Sequence, residues 1–191
     1  MRHGKVHRKL NRTAEHRRAP FDVLHAFWAG PPGLIGAAAS RLHRLPLVLT
    51  LPGGDTARIP SIGYGGMLRP GSRLRTRLAA MAADRVTVPS DMMKEQAGEA
   101  GIAADTVPLG VALDRWPPRQ PRRRGGSAPL RLLHVGSLNP VKDQATLLGG
   151  ARALEERGLD FELRIVGWDT LDGTVQRMAV ELGLQDRVRF D

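Results

Sequence analysis

The residues best placed for chemistry are Gly136 and Lys142, within the stretch GSLNPVKD at 136–143. A glycine and an ammonium stand where a short apolar run gives way to a helical pattern. Exposed amides and the positive end of a helix suit an anionic group there, and the ammonium adds to them. The same residues also fit a solvated loop. A second candidate is PGGDTARIPSIGYGGMLRPG, with six glycines in twenty residues. Gly53, Gly54, Asp55, Gly63, Tyr64, Gly65 and Gly66 are its candidate site residues. Glycines at that density allow close backbone approach or positive φ, which a plain connector seldom needs. A functional loop is the favoured reading.

The elements that must position these residues are legible around them. Leu130 to Val135 and Phe161 to Val166 are apolar runs too short for ordinary helices. Between them Leu147, Leu148, Ala151 and Leu154 share one helical face. Strand, loop, helix and strand make a βαβ unit with a right-handed crossover. Ligands of such units bind beyond the carboxyl ends of the strands, where Gly136–Asp143 and Gly167–Thr170 fall. Earlier in the chain, FDVLHAF reads as a buried strand ending near Trp28. Pro31 and Pro32 suit a helix start, with Leu34, Ile35, Ala38, Ala39 and Leu42 as its apolar face. Pro46–Leu51 is the next strand. Ser72–Ala83 is expected to be a helix with Leu74, Leu78 and Met81 inward. A strand at RVTVPS follows, then a helix through Ala100 capped by Ser90, then a short strand at DTVPLG. Late in the chain, Leu171–Leu182 reads as a helix and Arg187–Phe190 as a strand. The Gly149-Gly150 pair inside a helix has no explanation in the sequence and costs about 1 kcal/mol per glycine against alanine.

The alternation predicts an α/β protein with parallel sheets in two Rossmann-like halves. The expected organisation is a basic arm at 1–20, a first domain at 21–116, an Arg/Pro/Gly linker at 117–129 and a second domain at 130–191. The net charge of +10 is uneven: residues 1–20 carry +6 and 117–129 carry +4, while the rest balances at 18 bases and 18 acids. Basic segments of this kind suit peripheral contact with an anionic membrane surface. They lack interleaved aromatics, so no specific nucleic-acid partner is expected. His3, His7 and His16 sit among competing Arg and Lys, and no metal site is expected. The chain has no cysteine, which excludes disulfides and fits a reducing, cytoplasmic setting. No apolar run approaches the roughly 20 residues of a membrane span.

Eight segments, in order, resemble the family 4 glycosyltransferases of the GT-B fold: FDVLHAFWAGPPG, PLVLTLPGGD, IGYGG, ADRVTVPS, VPLGVALDRW, LLHVGSLNPVKDQATLL, LRIVG and ELGLQDRVRF. The resemblance runs from about Phe21 to Asp191. It implies transfer of a sugar from a nucleotide-sugar donor to an acceptor hydroxyl with retention, without a bound metal or other cofactor, in a cleft between two domains. The acceptor class is left open among glycans, lipids and small molecules. In most members an Arg and a Lys after the first strand of the second domain hold the donor diphosphate. The matching positions here are Ser137 and Lys142, so the lysine is kept and the arginine replaced. Pro52 stands where the family usually has a histidine near the reacting sugar, and proline has no side-chain donor. No residue is therefore assigned a catalytic role. The family's first strand with its glycine loop, and its acidic donor motif, have no counterpart. The resemblance implies a fragment of such an enzyme, inactive alone.

Three alternatives compete. A non-catalytic nucleotide-binding or regulatory module keeps half of a pocket without turnover. A dinucleotide-dependent oxidoreductase requires G-x-G-x-x-G after its first strand, which neither Gly136 nor Gly167 opens. A nucleic-acid binder driven by the basic arm would show steep salt dependence.

Overall fold

The structure is a computed structural model and describes residues 18–118, 120 and 128–191. The expectations for most of the basic arm and of the linker therefore lie outside the described residues. The chain divides into two compact units, Met1–Val111 and Ala112–Asp191. That division falls ahead of the expected end of the first domain at residue 116.

In the first unit, strands β1 (Leu24–Phe27), β2 (Leu47–Thr50), β3 (Arg85–Val88) and β4 (Asp105–Thr106) form a sheet in chain order. All its pairings are parallel. Each pair is bridged by a helix or helical loop: α1 (Pro31–His43), α2 (Pro70–Ala82) and α3 (Asp91–Glu99). Alternation puts Leu24, Ala26, Leu47, Leu49, Val86 and Val88 on one face. There they form a single apolar cluster with Ala37 of α1, Ala79 and Ala80 of α2, and Met93 and Ala97 of α3. On the opposite face a polar row crosses three strands, with His25 Nε2 2.7 Å from Thr50 Oγ1 and Thr50 Oγ1 2.7 Å from Thr87 Oγ1.

The second unit holds β5 (Leu130–Val135), β6 (Phe161–Val166) and β7 (Val188–Phe190), again parallel and in chain order. Helices α4 (Gln144–Glu156) and α5 (Thr174–Glu181) cover one face. Leu148, Ala151, Phe161, Leu163, Ile165, Val175, Ala179 and Leu184 make its core. The other face of β5 is open, with Leu133 66% and Val135 73% exposed. Parallel sheets covered on both faces read as continuous apolar runs. β5, LRLLHV, is apolar except for Arg131 and His134, yet among the described residues only one of its faces is covered.

Several expectations are corrected. The β1 segment is not a buried strand: only Ala26 is buried in it, and Phe21, Val23 and Phe27 are exposed at the edge of the sheet. The apolar face expected of α1 is also displaced. Gly33 and Ala37 are buried, whereas Ile35 and Leu42 are exposed. In α2 the expected face is reversed. Thr76, Ala79 and Ala80 are inward, while Leu74, Leu78 and Met81 are exposed. The cause is close packing by small residues. A Cβ added at Gly33 would lie 3.2 Å from the Ala79 Cβ and 3.3 Å from Leu49 Cδ1, so bulk at this contact has no room. Finally, α5 starts at Thr174 rather than Leu171, because Asp172 (φ 50°) and Gly173 (φ 77°) are left-handed and hold the backbone out of the helix.

Candidate functional site

In the second unit the chain leaves β5 at Gly136, whose amide donates to the Val166 carbonyl at 2.9 Å. A Cβ on Gly167 would come well under 3.0 Å from the Gly136 carbonyl. The ends of β5 and β6 are thus pressed together at two glycines. Leu138 continues the pairing, its amide donating to Trp168 O at 2.9 Å and its carbonyl accepting from the Thr170 hydroxyl at 2.8 Å. Asn139 then turns the chain: its Oδ1 accepts from the amides of Val141 and Lys142, at 3.0 and 3.2 Å, over the short 3₁₀ turn Pro140–Lys142. Asp143, left-handed at φ 46°, caps α4 by accepting from the Thr146 amide at 3.3 Å and hydroxyl at 2.8 Å.

This brings Gly136 and Lys142 together. A Cβ at Gly136 would meet Lys142 Cδ and Cε at 3.8 Å, so the lysine stem lies along the glycine and its head is exposed. Ser137 is held through its carbonyl, which accepts from Nε2 of the buried Gln144 at 3.0 Å. His134 is a residue that sequence reasoning passed over. Its Nε2 is buried without a hydrogen-bond partner and lies 3.5 Å from where a Gly136 Cβ would be. Asn139, Asp143 and Gln144 were also missed as positioning residues. Asn before proline, and Asp before a helical pattern, are turn and cap signals that could have found the first two. Beside this loop Asp169 accepts from the amides of Leu171 and Gly173, at 2.7 and 2.9 Å, and these bonds hold its carboxyl below the ordinary range.

In the first unit, the glycine-rich loop after β2 is folded on itself. Ile59 and Tyr64 pair antiparallel around the 3₁₀ turn Pro60–Ile62, closed by Gly63 at φ 64°. A Cβ at Gly65 would collide with the Ala57 carbonyl, one at Gly66 with the Asp55 carbonyl, and one at Gly54 with the Tyr64 ring and hydroxyl. Gly53 stands apart, with nothing near its Cβ position. Asp55 ties the loop to the end of β1: its Oδ1 accepts from the Ala29 amide at 2.9 Å, next to Trp28 at φ 68°. Oδ2 is buried with no partner, and burial pushes the carboxyl above its ordinary range. The described residues contain no cluster of three or more His, Cys, Asp or Glu able to hold a metal. None of their helices is long and apolar enough to cross a membrane.

Comparison with known proteins places this arrangement. A solved sucrose-phosphate synthase from Thermosynechococcus elongatus superposes with a TM-score of 0.71 at 16% identity, over 94% of this chain and 47% of that one. A Staphylococcus aureus TarM mutant, solved in complex with Fondaparinux, alpha-GlcNAc-glycerol and UDP, gives 0.67 at 11% identity over 93% of this chain and 35% of that one. In sequence, the D-inositol 3-phosphate glycosyltransferase of Thermomonospora curvata is 28% identical over 210 residues, covering 95% of this chain and 48% of the relative. The chain thus spans about half the length of that relative. A separate match of 26 residues, 14% of this chain, is 95% identical to the large ribosomal subunit protein bL17 of Bradyrhizobium diazoefficiens and covers 19% of it. The model of the glycosyl transferase 4-like domain matches residues 4–110, more than half of the chain, and two parallel α/β units of GT-B type agree with it. The chain belongs to the glycosyl transferase 4-like family, a family 4 glycosyltransferase by sequence and fold.

Proposed function

We propose that the second unit binds the diphosphate of a nucleotide-sugar donor, in an enzyme that passes the sugar to an acceptor hydroxyl with retention. The observation that carries this reading is the seating of Lys142 along Gly136 at the carboxyl end of β5. There the strand ends meet at two glycines, and the loop returns its ammonium to the place where open parallel sheets take their ligands. An ammonium and backbone amides meet the diphosphate charge in this reading, which therefore calls for no bound metal. The UDP named with the TarM structure supports a nucleotide as the donor's carrier. Ser137 stands in for the usual arginine and offers a hydroxyl in place of a guanidinium, so affinity for the diphosphate is expected to be modest.

Titration calorimetry with uridine and guanosine diphosphates tests the site. Lys142→Ala weakens binding by about 1.5–3 kcal/mol, the range of a charge-assisted hydrogen bond. Lys142→Arg is a poor rescue, because a planar fork does not replace a compact point charge. Unchanged affinity in the alanine variant removes Lys142 from the site.

The 191-residue chain by itself is expected not to turn over. Pro52 has no side-chain donor to offer a reacting sugar, and Ser137 offers no guanidinium to the diphosphate. Loss of positioning groups of this kind costs orders of magnitude in rate. Multiple-turnover transfer from a radiolabelled nucleotide sugar, abolished by Lys142→Ala, would overturn this expectation.

A further inference from the structure

The first unit contains a polar cavity of about 270 Å³, lined by the glycine-rich loop and by helices α2 and α3. Arg58 reaches it from the loop, Arg73 and Arg77 from α2, and Gln96 and Glu99 from the end of α3. Arg73 and Arg77 are four residues apart, so both leave the same face of the helix. Three guanidiniums therefore meet one carboxylate. The ion pairs among the described residues all lie elsewhere, and none includes Arg58, Arg73, Arg77 or Glu99.

Two of the three guanidiniums are fixed by backbone carbonyls. Arg73 Nη2 donates to Met67 O at 3.0 Å and Arg77 Nε donates to Ala100 O at 3.0 Å. Each uses one of its five donors in that bond and keeps the others. The wall between them includes Thr56, which is 5% exposed and whose hydroxyl is buried without a hydrogen-bond partner. Buried hydroxyls are nearly always satisfied. Three guanidiniums that form no ion pair share the cavity with a single carboxylate, Glu99, and leave its lining with net positive charge. Like charges four residues apart on a helix repel, and a bound anion removes that cost. We infer that this cavity is a binding site for a small phosphate-bearing ligand, held by Arg58, Arg73 and Arg77. The volume is about nine times the roughly 30 Å³ share of one liquid water, room for a phosphate ester with ordered water. Glu99 opposes an anion, and the net charge of the lining still favours one. The inference is independent of the donor site, since the cavity lies wholly within the first unit.

Thermal melting of the whole chain, carried in the Lys142→Ala background so that the donor loop is silent, tests it. Sodium phosphate and glycerol phosphate raise the melting temperature in a saturable way, while chloride and acetate at matched ionic strength do not. Arg73→Gln with Arg77→Gln lowers the apparent phosphate affinity by about tenfold or more. If that pair fails to fold by circular dichroism, Arg58→Gln, on the exposed loop, decides the matter by the same loss. Equal shifts with chloride, or retained phosphate affinity in a folded variant, overturn the inference. Failure here leaves the donor reading intact, because that is read from nucleoside diphosphate binding in the chain that keeps Lys142.

Discussion

The two strand-end loops use glycine for opposite purposes. In the first unit Gly54, Gly65 and Gly66 are occupied by the loop's own neighbours: the Tyr64 ring, the Ala57 carbonyl and the Asp55 carbonyl. The loop is a compact knot of its own residues, latched by Asp55 to the Ala29 amide. In the second unit Gly136 faces only a lysine stem and a histidine ring, at ordinary contact distances. Its bareness keeps space open for Lys142 rather than admitting backbone. Glycine density therefore points to a loop that must fold tightly. A binding loop is better marked by a few glycines next to an exposed charge.

The largest expected effects test that contrast directly. Gly65→Ala places a methyl against the Ala57 carbonyl at a φ of 122°, and Gly66→Ala places one against the Asp55 carbonyl. Each should destabilise the chain by about 3–5 kcal/mol, the scale of backbone strain joined to a steric clash. Gly136→Ala should change stability by less than about 0.5 kcal/mol, the ordinary range for a tolerated surface site, yet reduce nucleoside diphosphate affinity. Denaturant midpoints and calorimetry on the three variants measure both quantities. The contrast fails if Gly65→Ala is silent or if Gly136→Ala unfolds the chain.

How far the fold was legible follows the same division. In the second unit β5 and β6 fall where their apolar runs predicted, and α4 buries the expected Leu148 and Ala151. Large apolar residues there do the packing, so hydrophobic period and burial coincide. In the first unit they part company. Helices α1 and α2 meet at Gly33 and Ala79, and small side chains take the inward positions while Leu74, Leu78 and Met81 stand exposed. A reading that weights residues by apolar size selects the wrong face wherever backbones approach this closely. Of the sequence candidates Gly136, Ser137 and Lys142, the fold brings Gly136 and Lys142 side by side. The supports of that site were less legible, because His134 and Gln144 act through distances that appear only on folding.

A smaller effect separates glycines that are required from those that are not. Gly149 and Gly150 lie in the interior of α4, and a Cβ at either would meet nothing within 4 Å. Neither is held by a turn, a close contact or a positive φ. Replacing either by alanine should stabilise the chain by about 0.5–1 kcal/mol, through lower entropy of the unfolded chain and better helix propensity. The measured sign is what matters beside Gly65 and Gly66. A loss of stability at Gly149 or Gly150 would show that the helix surface there is needed bare, for a purpose the fold does not reveal.

The last and smallest effect concerns acid, and here the two units should respond in opposite directions. Asp55, in the first unit, has its carboxyl raised above the ordinary 3.8, chiefly by burial, with the Ala29 amide pulling the other way. A raised value means that the folded chain still holds a proton that the unfolded chain has released. Stability from this group is therefore greatest below 3.8 and falls as pH rises through the raised value. Asp169, in the second unit, is lowered by the amides of Leu171 and Gly173. Its contribution is present above the ordinary value and is lost as pH falls through the lowered one. Asp169 is half-buried and still screened by solvent, so its share is small. Asp55→Asn should flatten the decline in stability on the neutral side of 3.8, and Asp169→Asn should flatten the decline on the acid side. Denaturant midpoints of the two variants and the parent, taken from pH about 3 to 7 across the carboxylate range, give the comparison. If both variants change the slope with the same sign, one of these carboxylates has been given the wrong environment. Asp55, with its unpartnered oxygen, would then be the one to re-examine, because a group able to donate to that oxygen stabilises the carboxylate and removes the reason for its raised value.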